Sequence, residues 1–254
     1  MKQILKIIFI VCLPVFIVSS CVKDKYPHAS GILEQLHYDP VQEETYVEPF
    51  IVEKKDAEYT VSPLYEYDLY GLVVSYHHSD SILDYYHKLW GDTLNIKDLC
   101  VLWGNNLKTD LFREIKFKNA NWTCYFNTRS NEAWSNFHLN EVSNNHLLSD
   151  DKKISKKIMK ARRGDQIHFH GYLSEYSNDK GFRRGTSISR EDTMGGACET
   201  VYVTEFEILK SSNPTWDFIN TTTRYLLIVS VILLIIIFFL EAAQSSRQAF
   251  KDEK

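Results

Sequence analysis

"GDQIHFHGYL", residues 164–173, alternates polar and apolar side chains with a period of two, the pattern of a half-buried β-strand. On such a strand His168 and His170 point to one side with Gln166 and Tyr172, while Ile167, Phe169 and Leu173 take the other, with Gly171 among them. The apolar side is expected to face a core. The HxH pair raises the question of zinc, since two imidazoles on one strand face can share a metal, with His77, His78, His138 or His146 supplying a third ligand. Spacing fixes no such ligand, so the expectation is a solvent-facing or ligand-facing strand and no metal or other cofactor.

Upstream, "SDDKKISKKIMKARRGD" predicts a helix that starts near Ser149, with Asp150 and Asp151 at its positive end. Ile154 and Ile158 form a narrow buried stripe, with Met159 and Ala161 beside it, and Gly164 ends the helix. Its run of Lys152, Lys153, Lys156, Lys157, Lys160, Arg162 and Arg163 reads as a solvated face, the alternative being a patch for acidic lipid headgroups or an anionic polymer. Further upstream, "SPLYEYDLYGLVVSYHH" and "IKDLCVLWGNN" read as strands, "LFREIKFKNANWTCYFNT" as a hairpin turning at Asn119 to Asn121, and "EVSNNHLLS" as a loop. "SDSILDYYHKLWGDTL" predicts a short helix with Ile82, Leu83, Tyr86 and Leu89 inward. Downstream, "ACETVYVTEFEILK" is a last strand whose apolar phase shifts between Val203 and Phe206, which predicts a bulge.

Three strand regions, a helix and two strands follow the order of an OB-fold. The stretch from Gly164 to Leu173 resembles the G-D-x-V-x-h-x-G-x-L strand that follows the helix in exported OB-like domains, and "VYVTEFEIL" resembles their closing strand. The fold class expected is therefore mainly β with one or two helices, an OB-like Greek-key barrel. A mixed α+β domain of another topology is the alternative.

The two ends are apolar. "MKQILKIIFIVCLPVFIVSS" has a short basic start at Lys2 and Lys6, an apolar run from Ile7 to Val18, then Ser19, Ser20 and Cys21, the layout of a secretory signal. "VSSC", Val18 to Cys21, resembles the lipobox of bacterial lipoproteins; the resemblance implies cleavage before Cys21 and lipidation of that cysteine. An uncleaved anchor is the other reading. "YLLIVSVILLIIIFFL", Tyr225 to Leu240, is sixteen residues without a charge, about 24 Å as a helix and, with flanking residues that snorkel, enough to span. The expected organisation is a signal peptide over 1–20, an extended polar leader over 21–61, an exported domain over 62–212, a juxtamembrane segment over 213–224, a membrane helix over 225–243 and a cytoplasmic tail over 244–254. That places a single-pass protein in the inner membrane with its main domain in the periplasm.

Without residues 1–20 the chain keeps 27 basic and 33 acidic side chains, a net charge of −6, which argues against a general nucleic-acid binder. Among the five cysteines, Cys100 and Cys124 lie in apparent strands and are the expected disulfide of an oxidising compartment, which leaves Cys198 over. No CxxC, P-loop, GxGxxG or G-x-S-x-G occurs.

"GFRRGTSISREDTMGGACE", Gly181 to Glu199, is the most informative loop. It carries Arg183, Arg184 and Arg190 near Ser187, Asp192 and Thr193, and arginine presents planar paired donors to carboxylate or phosphate. Its bland reading is internal pairing of Arg190 with Asp192 or Glu199. The loop residues, with His168 and His170 on the adjacent strand, are the candidate ligand site. The functional expectation is a membrane-anchored binding or accessory module of an envelope complex that recognises an anionic polymer or a protein partner. The alternative is a membrane-anchored periplasmic hydrolase, nuclease- or esterase-like, built on the same Arg/Ser/Asp loop.

Overall fold

The computed structural model describes residues 2–55, 57–79, 89–120, 122–189, 191 and 198–252. The chain divides into two compact units, Tyr26–Ser212 and the terminal segments Met1–Lys25 with Asn213–Lys254. In chain order the elements are α1 (Lys2–Val22), β1 (Val41–Glu44), β2 (Phe50–Lys54), β3 (Ala57–His78), β4 (Asn95–Leu102), β5 (Lys116–Ala120), β6 (Thr123–Asn127), α2 (Asn131–Ser135), β7 (Val142–Leu148), α3 (Lys152–Lys160), β8 (Gln166–Asn178), β9 (Arg183–Arg184), β10 (Cys198–Lys210) and α4 (Pro214–Asp252). The short helix expected over "SDSILDYYHKLW" falls almost wholly outside the described residues.

The unit Tyr26–Ser212 is mainly β, organised around one large mixed sheet. β3 pairs with β4, β4 with β7 and β10 with β8, all antiparallel, and β7 pairs with β10 in parallel. β8 then pairs back onto β3, from Tyr59↔Asn178 to Leu72↔Gln166, so the ladder returns to the strand from which it began. Two glycines allow the close approaches this requires. A Cβ at Gly71 would lie 2.2 Å from Val101 Cγ1, and one at Gly171 would lie 2.1 Å from the Tyr202 carbonyl oxygen. The register slips between Val203 and Glu205, which is the bulge expected in the last strand.

Alternation along β8 holds from Ile167 to Leu173: Ile167, Phe169 and Leu173 are fully buried, and His168, His170 and Tyr172 face outward. Gln166, expected on the outward side, is instead buried, accepting from the Leu33 amide and donating to the Gly31 carbonyl. The inward residues pack with Leu69, Val73, Leu99, Val101, Leu147 and Val201, each fully buried aliphatic or aromatic side chain stabilising by roughly 1.5–3 kcal/mol. α3 adds Ile158 to the same core. Its N-cap is Asp151, whose carboxylate accepts from the amides of Lys153 and Ile154. At its other end, buried Lys97 of β4 donates to the carbonyls of Ala161 (2.6 Å) and Met159 (3.2 Å), which satisfies carbonyls a helix end leaves open and sets a cation at the negative end of the helix.

Two stretches depart from the expectation. "EVSNNHLLS" is not a loop: its core is β7, a strand buried on both faces between β4 and β10. The hairpin β5–β6, expected as the third strand region, is instead a separate two-stranded sheet. Asn144 and Asn145 disguise β7 because asparagine is depleted in strands; here Asn144 accepts from Asn119 and Asn145 donates to the Ser143 hydroxyl. The acidic segment 21–61 carries β1 and β2, both paired with β3, and buries Tyr26 and Leu36. The expected disulfide is present: Cys100 and Cys124 are bonded, with Cα atoms 5.8 Å apart. It ties β6 to β4, while Phe112 and Phe117 pack with Leu72, Val74 and Leu102 beneath.

In the terminal unit, α1 and the segment Pro214–Ser245 of α4 are each long and apolar enough to cross a membrane.

Candidate functional site

β7 and β4 set a row of polar side chains on one sheet face. Asp98 stands opposite His146, and Asn144 lies between Cys100 on one side and Cys198 on the other. On a pleated sheet such neighbours share a face. His146 Nδ1 is 2.7 Å from Asp98 Oδ1, and neither side chain is exposed. Arg184 Nη2 reaches His146 Nε2. A guanidinium only donates, so Nε2 must accept and Nδ1 must carry the proton that goes to Asp98. The imidazole is therefore neutral, held between a carboxylate and a cation. Asn95 Nδ2 also donates to Asp98 Oδ1 at 2.9 Å. Asn119 of the hairpin donates to Asn144 Oδ1 at 2.6 Å and accepts from the Ser75 hydroxyl. The network thus joins β3, β4, β5, β7 and β9.

Beside it opens a cleft of about 660 Å³ lined by Trp90, Trp122, Phe182, Lys180, Arg183 and neighbours. The rings of Trp90 and Trp122 meet edge to face at 4.8 Å, and Trp90 stacks on Phe182 at 5.7 Å with 26° between planes. The Arg184 guanidinium lies over the Trp122 ring, 4.3 Å from its centroid, a cation–π contact. Arg183 is held at the rim by Glu175, Nη2 to Oε2 2.8 Å.

The lining is fixed from below. Asn178 Oδ1 accepts from the amides of Lys180 (3.1 Å) and Phe182 (3.0 Å), folding the turn that presents both side chains. Tyr59 OH donates to the Gly91 carbonyl (2.9 Å), and Asn178 Nδ2 donates to the Trp90 carbonyl (3.2 Å). Tyr176 OH donates to Asp92 at 2.6 Å. Trp122 itself sits at φ +70°, a region that costs a bulky L-residue on the order of 1–2 kcal/mol. The hairpin turn places a large ring in the cleft at the expense of backbone comfort.

Of the residues singled out in the sequence, Arg183 and Arg184 belong to this site. Ser187 has a structural role: its amide bonds the Cys198 carbonyl (3.0 Å) and its hydroxyl organises the turn at Ser189 (3.3 Å). Arg190, Asp192 and Thr193 lie outside the described residues. His168 and His170 are elsewhere. Tyr176, the register partner of Arg184, lies six residues beyond His170, about 20 Å along a strand. His168 Nε2 is 2.8 Å from Asp68 and its ring stacks on Tyr70 at 4.1 Å, while His170 lies 3.2 Å from Glu66. Among the described residues no group of three or more His, Cys, Asp or Glu side chains is placed to hold a metal. His146, considered as a third zinc ligand, is engaged by Asp98 and Arg184.

Sequence reasoning missed Asp98, Trp90, Trp122 and Phe182, and named His146 only as a third zinc ligand. The tryptophans carried a usable signal, each being a large aromatic beside turn residues in "LWGD" and "NANW". Asp98 and His146 carried none, because only the β4–β7 register pairs them. Burial, then the charge of Glu199, pushes the Cys198 thiol up to about 11, which disfavours its thiolate. No family model, curated protein or solved structure matches this chain.

Proposed function

We propose that this chain is a membrane-anchored binding module whose OB-like Greek-key barrel grips an anionic, ring-bearing polymer of the cell envelope, such as an acidic glycan. The barrel reading is supported by the returning order β3-β4-β7-β10-β8-β3, by the parallel β7–β10 pair, and by helix α3 between β7 and β8, the third and fourth of these strands in chain order. In OB-folds the second and third strands, with the loops joining strands one to two and four to five, form the ligand face. The corresponding strands here carry Asp98 and His146, and the corresponding loops carry Trp90, Lys180 and Phe182.

The observation that carries the proposal is the cleft: aromatic faces from Trp90, Trp122 and Phe182 beside the cations Lys180 and Arg183. Flat rings stack on sugar or base faces, and the cations select negative charge. A protein partner with an acidic aromatic anchor is the other occupant of the same chemistry. Hydrolysis through loop 181–199 has weaker support, since Ser187 serves the turn and the Asp98–His146 pair is spent on Arg184.

The Cys100–Cys124 disulfide favours an oxidising compartment, and so a domain on the periplasmic face of the inner membrane. The anchor takes one of two forms. Cleavage before Cys21 leaves a lipid and a single span; retention of α1 leaves two spans, the form favoured by its packing.

The test uses full-length protein in nanodiscs, titrated with oligogalacturonate while tryptophan fluorescence is followed. Saturable quenching is expected, at least tenfold weaker in Lys180→Ala and reduced by salt, with little response to a neutral maltooligosaccharide. Equal responses to the acidic and neutral sugars, or none to either, overturn the polymer reading. A reporter near Ser130 that is active in the cytosol overturns the compartment.

A further inference from the structure

We infer that α1 is not removed from the mature protein but remains as a second membrane span, packed antiparallel against α4. Polar contacts tie the two helices at both ends. At one end the Lys2 ammonium pairs with the Glu241 carboxylate. At the other, Asn220 Nδ2 donates to the hydroxyls of Ser20 (2.7 Å) and Ser19 (3.1 Å), with the Phe16 carbonyl at 3.4 Å. Asn213 Nδ2 adds bonds to the carbonyls of Lys25 (3.1 Å) and Lys23 (3.3 Å), just beyond the end of α1.

The spacing of these ties matches a bilayer. From Lys2 to Ser19 is seventeen residues and from Asn220 to Glu241 is twenty-one, about 26 and 32 Å as helix. A hydrocarbon core is about 30 Å thick. The polar groups therefore fall near its two faces, and between them Ile7 to Val18 and Tyr225 to Leu240 carry no charge. Asn220 is only 3 % exposed, and lipid offers an amide no partner. If the chain were cut before Cys21, every acceptor found for the Asn220 amide would leave with the peptide.

Ser19 and Ser20 are the small residues of the lipobox-like "VSSC". In this packing Ser19 is fully buried and Ser20 is bonded to Asn220, so the stretch that a signal peptidase must grip is occupied by α4. The motif is thus a helix-packing sequence, and Cys21 keeps its thiol. Retention also puts both tails on one side.

Two measurements on the full-length protein decide the matter. Intact mass spectrometry of wild-type chain from membranes is expected to show residues 1–20 present and Cys21 unacylated; a mature chain beginning at acylated Cys21 overturns the inference. Ser20→Cys with Asn220→Cys, in a background of Cys12→Ser and Cys21→Ser, is expected to form an intramolecular disulfide in membranes on mild oxidation, in most of the chains. A retained segment that gives no cross-link overturns the pairing. Neither readout involves the ligand cleft, so failure here leaves the binding proposal standing, and the reverse holds.

Discussion

His146 hands its Nδ1 proton to Asp98 on the neighbouring strand, 2.7 Å away, and offers Nε2 to Arg184 on the cleft rim. The neutral ring thus bridges the buried carboxylate and the guanidinium. Asp98→Ala removes the acceptor shared by the buried His146 Nδ1–H and the Asn95 amide, a loss of about 1–3 kcal/mol for each such donor. Arg183→Ala breaks only a rim pair with Glu175, where Arg183 is 76 % exposed, and such pairs contribute about 0–1 kcal/mol. Urea unfolding of the two variants in detergent is therefore expected to separate them by at least about 1 kcal/mol. Equal midpoints would mean that the bridge does not hold the rim.

Trp122 provides a test in which the usual order of substitutions inverts. Alanine normally stabilises a site relative to glycine, but a φ of +70° is open to glycine and strained for alanine. Both variants lose the ring, so ligand quenching should weaken alike in each. In thermal unfolding Trp122→Gly is expected to be more stable than Trp122→Ala by about 1 kcal/mol. The opposite order would show that the turn relaxes out of the left-handed region once the ring is gone, and that the ring holds the backbone rather than the reverse.

The contrast between β8 and β7 explains what the sequence made legible. β8 has one buried face and one outward face from Ile167 on, so its alternation survives in the letters from Ile167 to Leu173. β7 is buried on both faces, and its polar residues are solvated by protein instead of water; Asn144 and His146 therefore read as loop. The same limit hid the site. Arg183 and Arg184 stood out because arginine clusters are visible along the chain. Their partners Trp122 and His146 lie 62 and 38 positions away from Arg184 and meet it only through sheet register and a hairpin cover. The Cys100–Cys124 pair was accessible because both cysteines sit in stretches that read as strands. His168 and His170 drew notice by spacing, yet register hands them to Asp68 and Glu66, far from the cleft.

That disulfide links the hairpin to the sheet and so bears on both stability and binding. The bonded residues are 24 apart, and closing a loop of that length stabilises by about 3 kcal/mol in the chain-entropy model. Cys100→Ser with Cys124→Ser is expected to lower unfolding stability by about that amount. It should also weaken binding of the acidic oligosaccharide, because the freed hairpin no longer fixes Trp122. Dithiothreitol applied to wild-type protein should reproduce both effects. Loss of stability with binding intact would assign the bond to the fold alone.

Tyr26 gives the alkaline limit of the fold. Its hydroxyl donates to the Val74 carbonyl at 2.8 Å, inside the cluster built on Phe112 and Phe117. Burial raises its phenol from 10.0 to about 12, with Arg163, whose guanidinium lies 4.1 Å above the ring, pulling the other way. The folded phenol keeps its proton between pH 10 and 12 while the unfolded one loses it, so the folded state binds more protons in that window. Stability is then fully present below pH 10 and falls as pH rises through the window. Tyr26→Phe forfeits the hydrogen bond, about 1 kcal/mol at neutral pH, but has no proton to release. Its unfolding free energy should decline less steeply than that of wild type between pH 10 and 12, so the two curves converge as the pH rises. Parallel curves across that window would mean that Tyr26 ionises equally in both states and that the burial of its hydroxyl contributes nothing to the pH profile.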